Sequence, residues 1–159
     1  MVKFWSRNDG FTIHTDKAYL HMDMISDFLL ATYWGEGLSK ESIKKSIENT
    51  PLCYGIYKGN PAEDQNVQQV GFARVITDFT RFAWLSDVFI LPKHRGKGLS
   101  KWLMEIIVTT PELEGTAFHL ATKDAHGLYK QYGFSELMSP ENRMERLINI
   151  AVIEKNIRS

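Results

Sequence analysis

The stretch Val88–Lys101 reads Val-Phe-Ile-Leu-Pro-Lys-His-Arg-Gly-Lys-Gly-Leu-Ser-Lys, and its residue types suit the binding of an anion. An apolar run ends at Pro92, a basic glycine-containing turn follows, and Leu99, Trp102, Leu103, Ile106 and Ile107 then recur at helical spacing. A turn that opens a helix presents unpaired backbone N–H groups at the positive end of the helix dipole. Gly96 and Gly98 leave the backbone uncovered, so a bulky anion can approach it closely. Arg95, Lys97 and Lys101 add positive charge. The N–H groups of Arg95, Gly96, Lys97, Gly98, Leu99, Ser100 and Lys101 therefore form a candidate phosphate or pyrophosphate cradle. A nucleotide P-loop needs Ser or Thr after Gly-Lys, whereas Lys97 is followed by Gly98. A dinucleotide fingerprint needs a third glycine where Lys101 stands. An ordinary basic turn between a strand and a helix is the plain alternative.

A second stretch, Ala121–Phe134, reads Ala-Thr-Lys-Asp-Ala-His-Gly-Leu-Tyr-Lys-Gln-Tyr-Gly-Phe. The glycine turn resembles the acetyl-CoA motif of the GNAT acyltransferase superfamily, Arg/Gln-x-x-Gly-x-Gly/Ala, with Lys93 in the place of the Arg or Gln. The second stretch resembles the closing GNAT motif, Asn-x-x-Ala-x-x-Leu-Tyr-x-x-x-Gly-Phe. Ala125, Leu128, Tyr129, Gly133 and Phe134 match at the same spacing, and Thr122 replaces the Asn. The two motifs occur in the family's order, and the resemblance extends from about Phe11 to about Leu147.

The resemblance implies acetyl-CoA as co-substrate. The turn Arg95–Lys101 would hold the pyrophosphate. The backbone of Val88, Phe89 and Ile90 would bind the acetyl carbonyl and the pantetheine amides, and Thr122 would stand where a polar contact to the coenzyme is expected. Tyr129 resembles the tyrosine that faces the thioester sulfur, which makes it the candidate general acid. Its periodicity alone, with Ala125, Leu128 and Tyr132, favours a core tyrosine, and it is the surrounding motif that points to the catalytic role.

Acetyl transfer to an amine needs a neutral amine, a stabilised carbonyl oxygen and a proton for the departing thiolate. Two substrates held side by side need no covalent enzyme intermediate. Many GNAT enzymes carry a Glu on the fourth strand, but here that place falls near Trp84 and Ser86. Asp87 is the nearest carboxylate, within the apolar run Phe82–Leu91, and is the candidate base. The structural alternative is that Asp87 pairs with Arg74 or bonds backbone at a bulge. His119 reads as a core histidine, Asp78 as a turn residue and Cys53 as core packing. Tyr33 and Trp34, in Thr32-Tyr33-Trp34-Gly35-Glu36-Gly37, are unusual aromatics for a loop. With Trp84, and Phe82 as a further wall, they are expected to line an amine pocket; packing of the first helix is the alternative.

The elements that must position these residues follow from the pattern. Phe11–His14 is a candidate strand. A helix carrying Ile25, Phe28 and Leu29 follows, and Ser39 caps a second helix through about Asn49. Leu52–Tyr57, Val70–Thr77 and Phe82–Leu91 read as strands two to four, the last two as a hairpin. A helix from about Gly98 leads to a fifth strand, Thr116–Ala121, so strands 4 and 5 are expected to be parallel. A helix over about Asp124–Tyr132 precedes Phe134–Leu147, which could supply one or two closing strands, while Ile148–Ser159 is ambiguous. The expected fold class is α/β: a GNAT-like mixed, mostly antiparallel central sheet with helices on both faces. The splay of parallel strands 4 and 5, with the pantetheine arm between them, is implied by the resemblance.

Composition agrees with one domain over residues 1–159. The hydrophobic share is 43% and the charged share 24%. Basic and acidic residues number 19 each, so no overall field draws in nucleic acid or an anionic membrane surface. The cluster Lys93–Lys101 is a local concentration that favours a small anionic ligand. The single cysteine, the lack of an apolar run at Met1–Asp9 and the lack of a long apolar segment predict a reducing, cytoplasmic setting. The function expected is an N-acetyltransferase acting from acetyl-CoA on the primary amine of a small molecule, without a metal, without nucleic-acid or membrane partners, and compatible with a homodimer. The alternative is an acyl-CoA-binding sensor that has lost catalysis.

Overall fold

The computed structural model describes residues 2–159. Two strands open the chain, β1 (Phe4–Ser6) and β2 (Phe11–His14), followed by helices α1 (Met22–Leu30) and α2 (Lys40–Glu48). A three-stranded run follows: β3 (Leu52–Lys58), β4 (Gln68–Thr77) and β5 (Phe82–Ile90). The chain continues through α3 (Leu99–Val108), β6 (Ala117–His119), α4 (His126–Lys130) and α5 (Ile150–Arg158). The strands form one sheet in the order β1-β2-β3-β4-β5-β6. Every neighbouring pair is antiparallel except β5 with β6.

Successive side chains of a strand point to opposite faces, and both faces are covered here. On β3, Tyr54 and Ile56 join the core under α3, with Leu103, Met104 and Ile107. Cys53 faces the other side, among Ile25 and Leu29 of α1 and Ile43 and Ile47 of α2. The Ser39 side chain accepts from Ser42 N and caps α2 as its position predicts. The Tyr54 hydroxyl satisfies itself against Thr110 Oγ1 at 2.7 Å. Among the described residues no helix is long and apolar enough to cross a membrane.

The structure changes three points of the sequence reading. The expected parallel pair, Phe82–Leu91 with Thr116–Ala121, forms as β5 and β6 rather than strands 4 and 5, because Phe4–Ser6 adds a first strand that three residues of pattern did not reveal. No closing strand forms in Phe134–Leu147. That segment exposes its apolar side chains instead, with Met138 at 99% and Met144 at 100% exposure. The ambiguous tail is α5, which docks on α2: Glu154 Oε1 accepts from Ser39 N at 3.0 Å and also binds the Ser42 hydroxyl.

Candidate active site

The parallel pair is joined only at Phe82–Ala117, Ala83–Phe118 and Trp84–His119. Beyond Trp84, β5 runs on to Ile90 while β6 ends, so the two segments part. A cleft of about 540 Å³ opens there. Its β5 wall is Trp84–Val88 and its opposite wall is Leu120–Ala125 with Tyr129. Tyr33 and Trp34 close the side toward the α1–α2 connection. The structure thus brings Tyr33, Trp34, Trp84, Asp87, Val88, Thr122 and Tyr129 to one cavity. Phe82 is 40% exposed and stacks on His119 outside it, with ring centroids 5.2 Å apart.

On β5 a bulge shapes the wall. Phe72 pairs with Phe89 and Arg74 with Ser86, so Asp87 and Val88 together face Ala73 alone. Asp87 takes a left-handed backbone, with φ +57°. Its Oδ2 accepts from Arg74 Nε at 2.6 Å, and the two side chains are 10% and 13% exposed. Arg74 Nη1 also donates to Thr50 Oγ1 at 3.0 Å, and Thr50 donates to Ser46 O at 2.6 Å, at the end of α2. The carboxylate therefore forms the Arg74 pair of its structural alternative, from a residue that lies within the bulge. Phe89 and Ile90 return to the ladder against Phe72 and Gly71.

At the end of β5 the single turn Pro92–His94 leads into the glycine turn. Gly96 and Gly98 both have left-handed backbones, with φ +79° and +73°. A Cβ on Gly96 would meet nothing within 4 Å, and one on Gly98 would meet only Arg7 Nη1 at 3.9 Å. No side chain caps the first turn of α3. The open backbone and the helix start fit a diphosphate. Leu99 is buried beneath the turn, Ser100 is half-buried and Lys101 is exposed. The turn lies at the far end of β5 from the aromatic side of the cleft.

On the opposite wall, Tyr129 of α4 is half-buried, edge-on to Phe134 at 6.0 Å. Burial, with a smaller contribution from Asp124, raises its phenol above the ordinary value. The phenol therefore stays protonated through the neutral and mildly alkaline range. Thr122 lines the cleft, but its hydroxyl accepts from Ala125 N at 3.1 Å and so serves the start of α4. Tyr33 and Trp34 stand edge to face at 5.0 Å, and Lys123 Nζ lies 5.2 Å from the Tyr33 ring centre. Lys123 and Asp124 also line the cleft, and Arg7 stands beside Gly98; motif reading singled out none of the three. Arg7 lies in the β1–β2 turn, and nothing in the local sequence signals its place beside Gly98.

Cys53 lies in the core between the sheet and α1–α2, and burial pushes its thiol up to about 11. Among the described residues no group of three or more His, Cys, Asp or Glu side chains could hold a metal ion.

A family profile described as an acetyltransferase (GNAT) domain matches residues 61–136, which include both the glycine turn and the Tyr129 motif. A candidate acetyltransferase from Gibberella zeae is 30% identical over 116 residues. That alignment covers 65% of this chain and 64% of the curated relative, so the chain spans somewhat under two thirds of that relative's length. The crystal structure of a candidate GNAT-family acetyltransferase from Xanthomonas campestris pv. campestris is 39% identical, with a TM-score of 0.78 over 87% of this chain and 93% of that one. A candidate acetyltransferase from Clostridium acetobutylicum, solved with acetyl-CoA, shares the fold at 13% identity, with a TM-score of 0.58 over 96% of this chain and 98% of that one. With identity at this level over nearly the whole of the Xanthomonas protein, and a glycine turn and a Tyr129 wall that the family profile spans, this chain belongs to the GNAT family of acetyltransferases.

Proposed function

We propose that the chain transfers the acetyl group of acetyl-CoA to a primary amine of a small molecule by direct attack in a ternary complex. The observation that carries this reading is the cleft between the parted ends of β5 and β6, with Val88 on one wall and Tyr129 on the other. The Arg95–Lys101 turn holds the diphosphate, and its uncovered glycines fit that group. The bulge frees the backbone around Val88 from the ladder, and in this reading that backbone stabilises the carbonyl oxygen as it gains charge. The carbons and sulfur of the thioester supply the activated acyl group; the protein supplies position and protons.

Tyr129 acts as the general acid. Burial keeps its phenol protonated, which suits proton donation to the departing sulfur. The amine enters from the side of Tyr33, Trp34 and Trp84, whose rings supply an apolar wall with attractive faces for an ammonium group. Its excess proton leaves through water in the open cleft. Cys53 takes no part: it is buried in the opposite core and held protonated. Initial rates measured while both substrates are varied should give intersecting double-reciprocal lines. Parallel lines with an acetylated enzyme seen by mass spectrometry would contradict direct transfer.

We assign Asp87 a positioning role, because its carboxylate is committed to Arg74 at 2.6 Å. Asp87→Asn keeps a residue that tolerates the left-handed backbone and removes the ion pair. A charge-assisted bond of this kind is worth about 2 kcal/mol, which corresponds to a fall of about 5 °C in Tm for a chain of this size. The pH–rate profile of the folded variant should keep its shape. An unchanged Tm with loss of the acid limb of the profile would make Asp87 the base.

A further inference from the structure

Two of the cations that belong to the glycine turn are turned away from it. Arg95 Nε donates to Ile90 O at 3.0 Å, back along β5. Lys97 Nζ lies 3.4 Å from His94 Nδ1 and 5.6 Å from the centre of the Phe11 ring. His94 is buried, and burial lowers its pKa, so it meets Lys97 as a neutral ring. A guanidinium from a remote part of the chain stands at the turn instead. Arg7 Nη2 donates to Lys97 O at 3.0 Å, and the Arg7 guanidinium carbon lies 5.2 Å from the Trp102 ring centre on α3. Asp9 engages Nε and Nη2, which fixes the plane of the fork and leaves Nη1 as the nitrogen 3.9 Å from the Cβ position of Gly98. Apart from the adjacent Lys97 and Leu99, no other described residue places an atom within 4 Å of that Cβ position.

We propose that Arg7, from the β1–β2 turn, is a diphosphate-binding residue of the coenzyme site. The inference rests on the coenzyme reading of the glycine turn and adds to it a guanidinium from outside the turn. A planar guanidinium held by Asp9 and Trp102 is already oriented, so little side-chain freedom is lost when it meets a phosphate. The pair with Asp9 also makes the N-terminal hairpin part of the coenzyme site, although it lies outside the residues 61–136 that carry the family profile.

The test compares the wild-type chain with Arg7→Gln by calorimetry against three probes: CoA, dephospho-CoA and pantetheine. Thermal unfolding of both proteins confirms that the variant is folded. The variant should bind CoA and dephospho-CoA about fivefold more weakly, the effect of one partly exposed charged contact. Pantetheine, which has no phosphate, should bind both proteins alike. Unchanged CoA affinity would overturn the proposal. Equal weakening toward pantetheine would also overturn it, since Arg7 would then act only through the shape of the turn. An effect on CoA that vanishes with dephospho-CoA would move the contact to the 3′-phosphate and reject the diphosphate assignment. A wild-type chain that fails to bind CoA would reject the coenzyme reading itself, separately from the role of Arg7.

Discussion

Replacing Tyr129 by Phe should lower turnover about 100-fold while coenzyme affinity and Tm stay near wild type. The substitution removes one oxygen and keeps the ring against Phe134. A proton donor aimed at a departing sulfur helps only as the C–S bond breaks, so its loss appears in kcat. General acid catalysis is worth about 100- to 10,000-fold when proton transfer is in the slow step. The lower end applies because a thiolate, whose conjugate thiol ordinarily titrates near pH ~8.5, already leaves fairly well. In the wild type, activity should persist as pH rises past neutrality and fall only when the phenol ionises. Burial raises that point above the ordinary tyrosine value. Turnover of Tyr129→Phe within about twofold of wild type would leave Tyr129 as a packing residue and give the proton to water.

Gly98→Asp should weaken CoA binding by more than tenfold, or about 1.4 kcal/mol. Two effects combine. The φ of +73° disfavours any residue with a Cβ, although Asp tolerates it better than most. The new carboxylate would also stand where a diphosphate is expected, beside Arg7 Nη1, and would cancel that cation. Gly98→Asn carries the same backbone strain without the charge, so it separates the two effects. The Asn variant should retain most of the affinity, and the Asp variant should lose it most strongly at low salt, where charge repulsion is least screened. Calorimetry showing wild-type affinity in a folded Gly98→Asp variant would remove the turn from the site.

The strand, glycine turn and helix around Gly96 and Gly98 were legible because their chemistry is local. Pro92, two glycines, a basic cluster and the Leu99–Ile107 spacing lie in one continuous stretch, and each part says what the next must do. The α2 cap at Ser39 was legible for the same reason. The Asp87–Arg74 pair was stated from sequence as one alternative, but whether it forms depended on the register of β4 against β5, which sets Arg74 beside the bulge. Phe4–Ser6 is too short for a period-two pattern to stand out. The exposed apolar residues Leu137, Met138, Met144 and Leu147 imitate a strand in composition, yet no sheet edge receives them. Arg7 was illegible in principle: it reaches Lys97 through the folded hairpin, and no spacing rule spans that separation. The cleft itself depends on β6 stopping at His119 while β5 continues, a difference in length that composition does not encode.

The measurement that bears most directly on the central claim is thiol release from acetyl-CoA by the purified chain, followed against a panel of small primary amines. Acetyl transfer predicts release that depends on both enzyme and amine, with one equivalent of acetylated amine formed per thiol and with the rate about 100-fold lower in Tyr129→Phe. Binding of acetyl-CoA without thiol release on any amine of the panel would contradict the account and make the cleft a coenzyme-sensing site.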